Sequence, residues 1–258
     1  MAILQSYRDK FRPIYDYFND FIEDISFFNF DNIYYTDNMK EDVFLFCTPK
    51  ISEETDNAAV TILPNDFIED IVVIIDISNN NNVMYAESLI HELIHVIDYN
   101  NFAKHFLNGD LNLINSHILK EDYKSWSEFR AFSTAQIKCY EYMDLACHRS
   151  YTSIIMKQYE LNLEDFLIRQ RLALKTGQFS DYELSKVFGS IYLLDNYHNI
   201  KDFSKSHIYN YLPILFKSDL IYQMYDLYFL YFDSDRNHTI FENLYQIQDL
   251  QSKVFQSQ

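Results

Sequence analysis

Two histidines four residues apart, His91 and His95, enclose Glu92 in the segment His91-Glu92-Leu93-Ile94-His95. On an α-helix that spacing sets the two imidazoles one turn apart on a single face, where both ring nitrogens can bind one zinc ion. Glu92, one residue past the first histidine, lies beside this stripe and can reach a water on such an ion. The chemistry expected of the set is metal-assisted hydrolysis with Glu92 as general base. The flanking residues suit a helix, with Ile90, Leu93, Ile94 and Ile97 forming an apolar back and His91, His95 and Asp98 a polar front. In a helix fit for burial that polar front is costly unless something compensates it, and a metal would.

A zinc site needs a third protein ligand. Asp98 stands seven residues beyond His91, about 10 Å along a straight helix, so it is assigned instead as an acceptor that holds a ligand imidazole in its tautomer. Asp98 and Asn101 occupy the positions where the pattern HExxHxxGxxH has its glycine and third histidine, which excludes that variant. Glutamates on the next helix remain: Glu121, Glu128 and Glu141. Glu128 is chosen, because Ala131 and Ala135 follow on its face and small residues let two helices approach closely.

With these residues in place the chain resembles the gluzincin peptidases, in which HExxH is followed by a glutamate on a later helix. The fuller pattern, His91-Glu92-x-x-His95-x-x-Asp98 and then Glu128-Phe129-x-Ala131-Phe132, looks like the catalytic domain of anthrax lethal factor and the Pro-Pro endopeptidases. The resemblance covers about residues 70–140. It implies Zn2+ held by His91, His95 and Glu128, Glu92 as the base, and a protein or peptide substrate cut as by an endopeptidase. The family has a transition-state-stabilising tyrosine seven residues before the glutamate ligand. Here that position is Glu121, and Tyr123, five before, is the nearest substitute as the second catalytic group. A toxin or bacterial effector protease is one role the resemblance suggests, and an intracellular housekeeping or phage-associated peptidase is the equal alternative. The competing expectation is a metal-binding but inactive zincin-like scaffold whose helical part binds a partner protein.

Composition narrows the classes further. A formal charge of −17 argues against nucleic acid and against an anionic membrane surface as partners, because both need cations at the contact. Three cysteines without a CxxC pair fit a reducing compartment and no disulfide framework. No cleavable signal peptide and no apolar run of membrane-spanning length is found, so the expectation is a soluble protein, cytoplasmic or exported by a leaderless route.

Only 3 glycines stand against 22 tyrosines and 22 phenylalanines, which favours long, aromatic-packed helices over a many-stranded barrel. Strands are expected at 43–48, 58–63 and 71–78, with a loop at 50–57 and a turn at 79–82. The last strand is expected at a sheet edge beside the cleft, where an extended substrate adds, with a core strand as the alternative. Helices are expected over 3–24, 84–107, 119–147, 150–175, 180–195, 205–231 and 236–256. Strands first and helices after make a predominantly helical α+β fold, a small twisted sheet with its HExxH and glutamate helices followed by a helical part. The loose division is 1–147, zincin-like and catalytic, and 148–258, helical.

Overall fold

The computed structural model describes residues 5–47, 58–78, 82–148, 151–200, 202–216, 219–230 and 237–256. The fold is α+β and mostly helical, with one small mixed sheet. Its residues separate into two compact units, 1–117 with 138–142 and 118–137 with 143–258. Most of the helix that follows HExxH therefore belongs to the second unit, whereas the sequence division placed all of it in the first.

In the first unit, helix α1 (Gln5–Phe21) buries Phe11, Ile14, Tyr15 and Phe18 of its apolar period, while Phe21 at its end is exposed. Strand β1 (Ile33–Thr36), helix α2 (Met39–Asp42), strand β2 (Ala59–Ile62) and strand β3 (Val72–Asp76) follow. The sheet order is β1-β3-β2, with β1 parallel and β2 antiparallel to β3. Val72 to Ile75 are all buried, as a run of β-branched residues covered on both faces should be. Alternate residues face opposite ways. Val72, Ile74 and Ile62 meet Met39, Val43, Phe46 and Cys47 in one cluster, which leaves Thr61 on the other face. Helix α3 (Asn82–Phe106) packs on β2, β3 and α1. Its start is tied to the end of β3 by the Tyr85 hydroxyl, which donates to the Ile77 carbonyl at 2.5 Å.

Two strand expectations are corrected here. Residues 43–45 form a 3-10 turn continuing α2, not a strand; a short apolar run fits a buried helical turn equally well, and periodicity cannot separate the two. The strand at 71–78 is central and not an edge, because β1, which the sequence did not single out, pairs on its far side as Ile33↔Val73 to Thr36↔Asp76. The expected loop at 50–57 and residues 79–81 of the expected turn lie outside the described residues.

The second unit is helical. It takes most of α4 (Lys120–Cys147), then α5 (Tyr151–Lys175), α6 (Asp181–Tyr197), α7 (Ile208–Tyr211), α8 (Leu220–Leu230) and α9 (Asn237–Gln256). The single helix expected over 205–231 is broken: α7 passes into a 3-10 turn at Leu212–Ile214, where Pro213 cannot donate to a continuing helix. Aromatic rings fill the core, with Phe129 5.2 Å from Tyr228 and Phe188 5.1 Å from Tyr225 between ring centres. Gly189 of α6 admits α4 closely: a Cβ there would lie 3.0 Å from Phe132 and 3.2 Å from the Phe129 carbonyl. Ser185 donates to the Ser125 carbonyl at 2.7 Å across the same contact. Tyr225 and Tyr228 of α8 are fully buried, so they serve packing there. No helix among the described residues is long and apolar enough to cross a membrane.

Candidate metal centre

Helix α3 carries His91, Glu92, His95 and Asp98. The apolar back expected from the sequence is buried throughout at Ile90, Leu93, Ile94 and Ile97. The polar front is largely buried too: His95 is 4% exposed, Asp98 is fully enclosed and His91 is partly buried, and Glu92 beside them is 6% exposed. Burial of that many polar side chains on one helix requires partners for them.

The Nε2 atoms of His91 and His95 lie 3.0 Å apart. Two zinc–nitrogen bonds of about 2.0–2.1 Å at a tetrahedral angle place their nitrogens about 3.3 Å apart, so the pair is within a few tenths of an ångström of sharing an ion. Without one, the same separation is an N–H···N hydrogen bond in which one ring donates and the other accepts. Glu128, the third ligand expected from the sequence, is carried by α4 in the second unit. Two imidazoles and a carboxylate, with a position left for water, are a donor set that zinc accepts.

The other glutamates weighed for the third position are engaged elsewhere. Glu121 is exposed and pairs with Lys120 at 3.4 Å. Glu141 accepts from Lys138 at 2.7 Å.

Glu92 stands outside the ligand group and is held separately. Its Oε2 accepts a 2.7 Å hydrogen bond from the Thr61 hydroxyl, which also lies 3.3 Å from the Glu92 carbonyl. One carboxylate oxygen is thus occupied and the other is left for a proton-transfer partner. Thr61 was not among the residues the sequence singled out. Its signal was a lone hydroxyl within the apolar strand Ala-Val-Thr-Ile, where a buried-face oxygen needs a partner.

Tyr123 is buried, its ring stacked on Trp126 at 5.5 Å and against Phe241 at 5.3 Å. Packing accounts for the ring. Arg130 is buried as well, and that burial lowers its guanidinium to about 10, which leaves it cationic at neutral pH. Cys47 and Cys139 are buried and form no disulfide, and burial pushes the Cys139 thiol up to about 12, far from a nucleophile's range.

Comparison of the chain with protein-family models, with curated proteins and with solved structures finds no match in any of the three.

Proposed function

We propose that this chain is a zinc-dependent endopeptidase whose metal is held by His91, His95 and Glu128. The observation that carries the proposal is the convergence of the His91 and His95 Nε2 atoms on one helix beside a buried glutamate that is itself positioned by Thr61; Glu128 is the third ligand that the sequence pattern supplies. The resemblance to the lethal factor and Pro-Pro endopeptidase catalytic domains supports the same assignment.

Zinc, when bound, supplies Lewis acidity that makes water nucleophilic near neutral pH and polarises a peptide carbonyl. The chain's own residues do the rest. His91 and His95 bind through Nε2, the nitrogens that converge, which leaves each Nδ1–H to be oriented by an acceptor; Asp98 is the candidate for one of them. Glu92 takes the proton of the attacking water on the oxygen that Thr61 leaves free and passes it to the departing amine. Burial of Glu92 keeps bulk water from competing for that proton. Tyr123 and Arg130 are the candidates for a hydrogen bond to the developing oxyanion.

Substrate class follows from β2. Among the described residues this strand pairs with β3 alone, and its Thr61 touches the base. An extended peptide laid along β2 as a further strand brings its backbone to Glu92, so the substrate is an unfolded or exposed segment of a protein.

The decisive experiment is Glu92→Gln. Zinc content stays that of the parent while chelator-sensitive cleavage of proteins in a cell lysate, read as new protein termini, falls by about 10²–10⁴-fold. Equal cleavage by parent and variant would falsify the mechanism. A parent that holds zinc and generates no new termini instead favours the inactive scaffold.

A further inference from the structure

A second set of metal-type donors lies wholly within the helical unit. Glu160 of α5, His198 at the end of α6 and His207 just before α7 each offer one ligand atom, and these atoms lie within 4.8 Å of one another. His198 Nε2 is 3.8 Å from Glu160 Oε2, and the rings of His198 and His207 are 5.2 Å apart between centres.

What makes this more than a surface cluster is the treatment of His207. Asp195, the fully buried carboxylate three residues before His198, accepts from His207 Nδ1–H at 2.7 Å. The same Oδ1 takes the His207 backbone N–H at 2.8 Å. Its Oδ2 takes the hydroxyls of Ser206 and Tyr225, the latter at 3.2 Å. A carboxylate accepts only, so Nδ1 carries the proton and Nε2 carries the lone pair. Burial holds the Tyr225 hydroxyl far above its ordinary value of 10, so it stays a donor. With four donors around one carboxylate, the orientation and tautomer of His207 are set by hydrogen bonds. Histidines that ligate metals are oriented in this way, by a carboxylate on the nitrogen the metal does not use.

We propose that Glu160, His198 and His207 bind a divalent cation of the zinc type, with Asp195 as the group that positions His207. Two imidazoles and one carboxylate favour Zn2+, Ni2+ or Cu2+ over the oxygen-seeking Ca2+ and Mg2+. The exposure of Glu160 and His198 gives the ion an open path from solvent. Because the donors come from α5, from the end of α6 and from the segment leading into α7, a bound ion pins three successive elements together. It resists unfolding of this unit by mass action. The proposal does not depend on the HExxH site being occupied.

The test uses the full chain and Zn2+ alone, with bound metal counted after equilibrium dialysis. His198→Ala and Glu160→Gln alter side chains at the surface, so both variants keep the fold, which circular dichroism checks. At a free zinc concentration that just saturates the parent, a loss of affinity of about 10–100-fold is expected to leave each variant short by roughly half an equivalent to almost a whole one. Whatever zinc the His198→Ala protein retains reports on the HExxH site, so failure of one site is distinct from failure of the other. Nitrogen-15 shifts of His207 Nε2 on zinc addition identify the ligating atom. If the parent and both variants bind the same number of ions, or if His207 Nε2 does not respond, the second site does not exist.

Discussion

Replacing Thr61 by valine removes one hydroxyl and little else. The β-branched shape stays, and so does the backbone pairing of residue 61 with Val73. What is lost is the 2.7 Å hydrogen bond to Glu92 Oε2. A hydrogen bond to a charged acceptor is worth about 1.5–3 kcal/mol, and each 1.36 kcal/mol is about tenfold in rate. If that bond holds the base in its reactive orientation, kcat/KM falls by about 10–100-fold. The assay is chelator-sensitive hydrolysis of a fluorescently labelled unfolded protein such as casein, run well below the unfolding temperature, with bound zinc measured on the same samples. Zinc content is expected to stay at the parent's value, because Thr61 is not among the ligands, and Thr61→Ser is expected to restore most of the rate. A Thr61→Val protein that hydrolyses within twofold of the parent would show that Glu92 needs no such support. A variant that loses its zinc would show that Thr61 acts on the fold of the centre and not on the base.

Tyr123→Phe keeps the ring stack with Trp126 and Phe241 and removes only the hydroxyl. If that hydroxyl meets the oxyanion, kcat drops by about 10²-fold with KM unchanged, and an unchanged kcat strikes Tyr123 from the mechanism. Burial, reinforced by Asp181 and only partly offset by the 3.0 Å hydrogen bond from Gln248, raises the Asp122 carboxyl to about 6. Its unfolded value is near 3.9, so the folded state holds the extra proton between about pH 4 and 6, and stability falls as pH rises through that window. Asp122→Asn is therefore expected to stabilise the protein by about 1–3 kcal/mol at pH 8 and to change nothing below pH 4; urea unfolding at both values checks it, and an equal effect at both would refute it. Gly189→Ala adds a methyl 3.0 Å from Phe132 and 3.2 Å from the Phe129 carbonyl. Overpacking of about 1–3 kcal/mol is expected to outweigh alanine's better helix propensity of about 1 kcal/mol, and a raised melting temperature would contradict that contact.

The sequence by itself determined what is local. The turn-apart stacking of His91 and His95 follows from 3.6 residues per turn, and their ring nitrogens do converge, 3.0 Å apart. The helical character of 84–107, 119–147 and 150–175 follows from period and from the scarcity of glycine, and each helix lies within a few residues of its expected bounds. Strand β3 was legible because Ile71 to Ile75 are five β-branched residues in a row, which favour a strand where an apolar run such as 43–46 does not decide.

Only the tertiary structure decided what depends on pairing across the chain. Whether β3 is central or at an edge is decided by β1, a four-residue strand that pairs with residues 40 positions further on and is too short to announce itself by its own period. The choice among Glu121, Glu128 and Glu141 rests on flanking alanines, since all three sit on one helix and no period along it separates them. Thr61 and Glu92 are 31 residues apart, and Asp195 and His207 are 12 apart across a break between helices. Hydrogen bonds of that kind leave no periodicity behind, because side-chain chemistry acts through distances of a few ångströms while sequence records only order along the backbone.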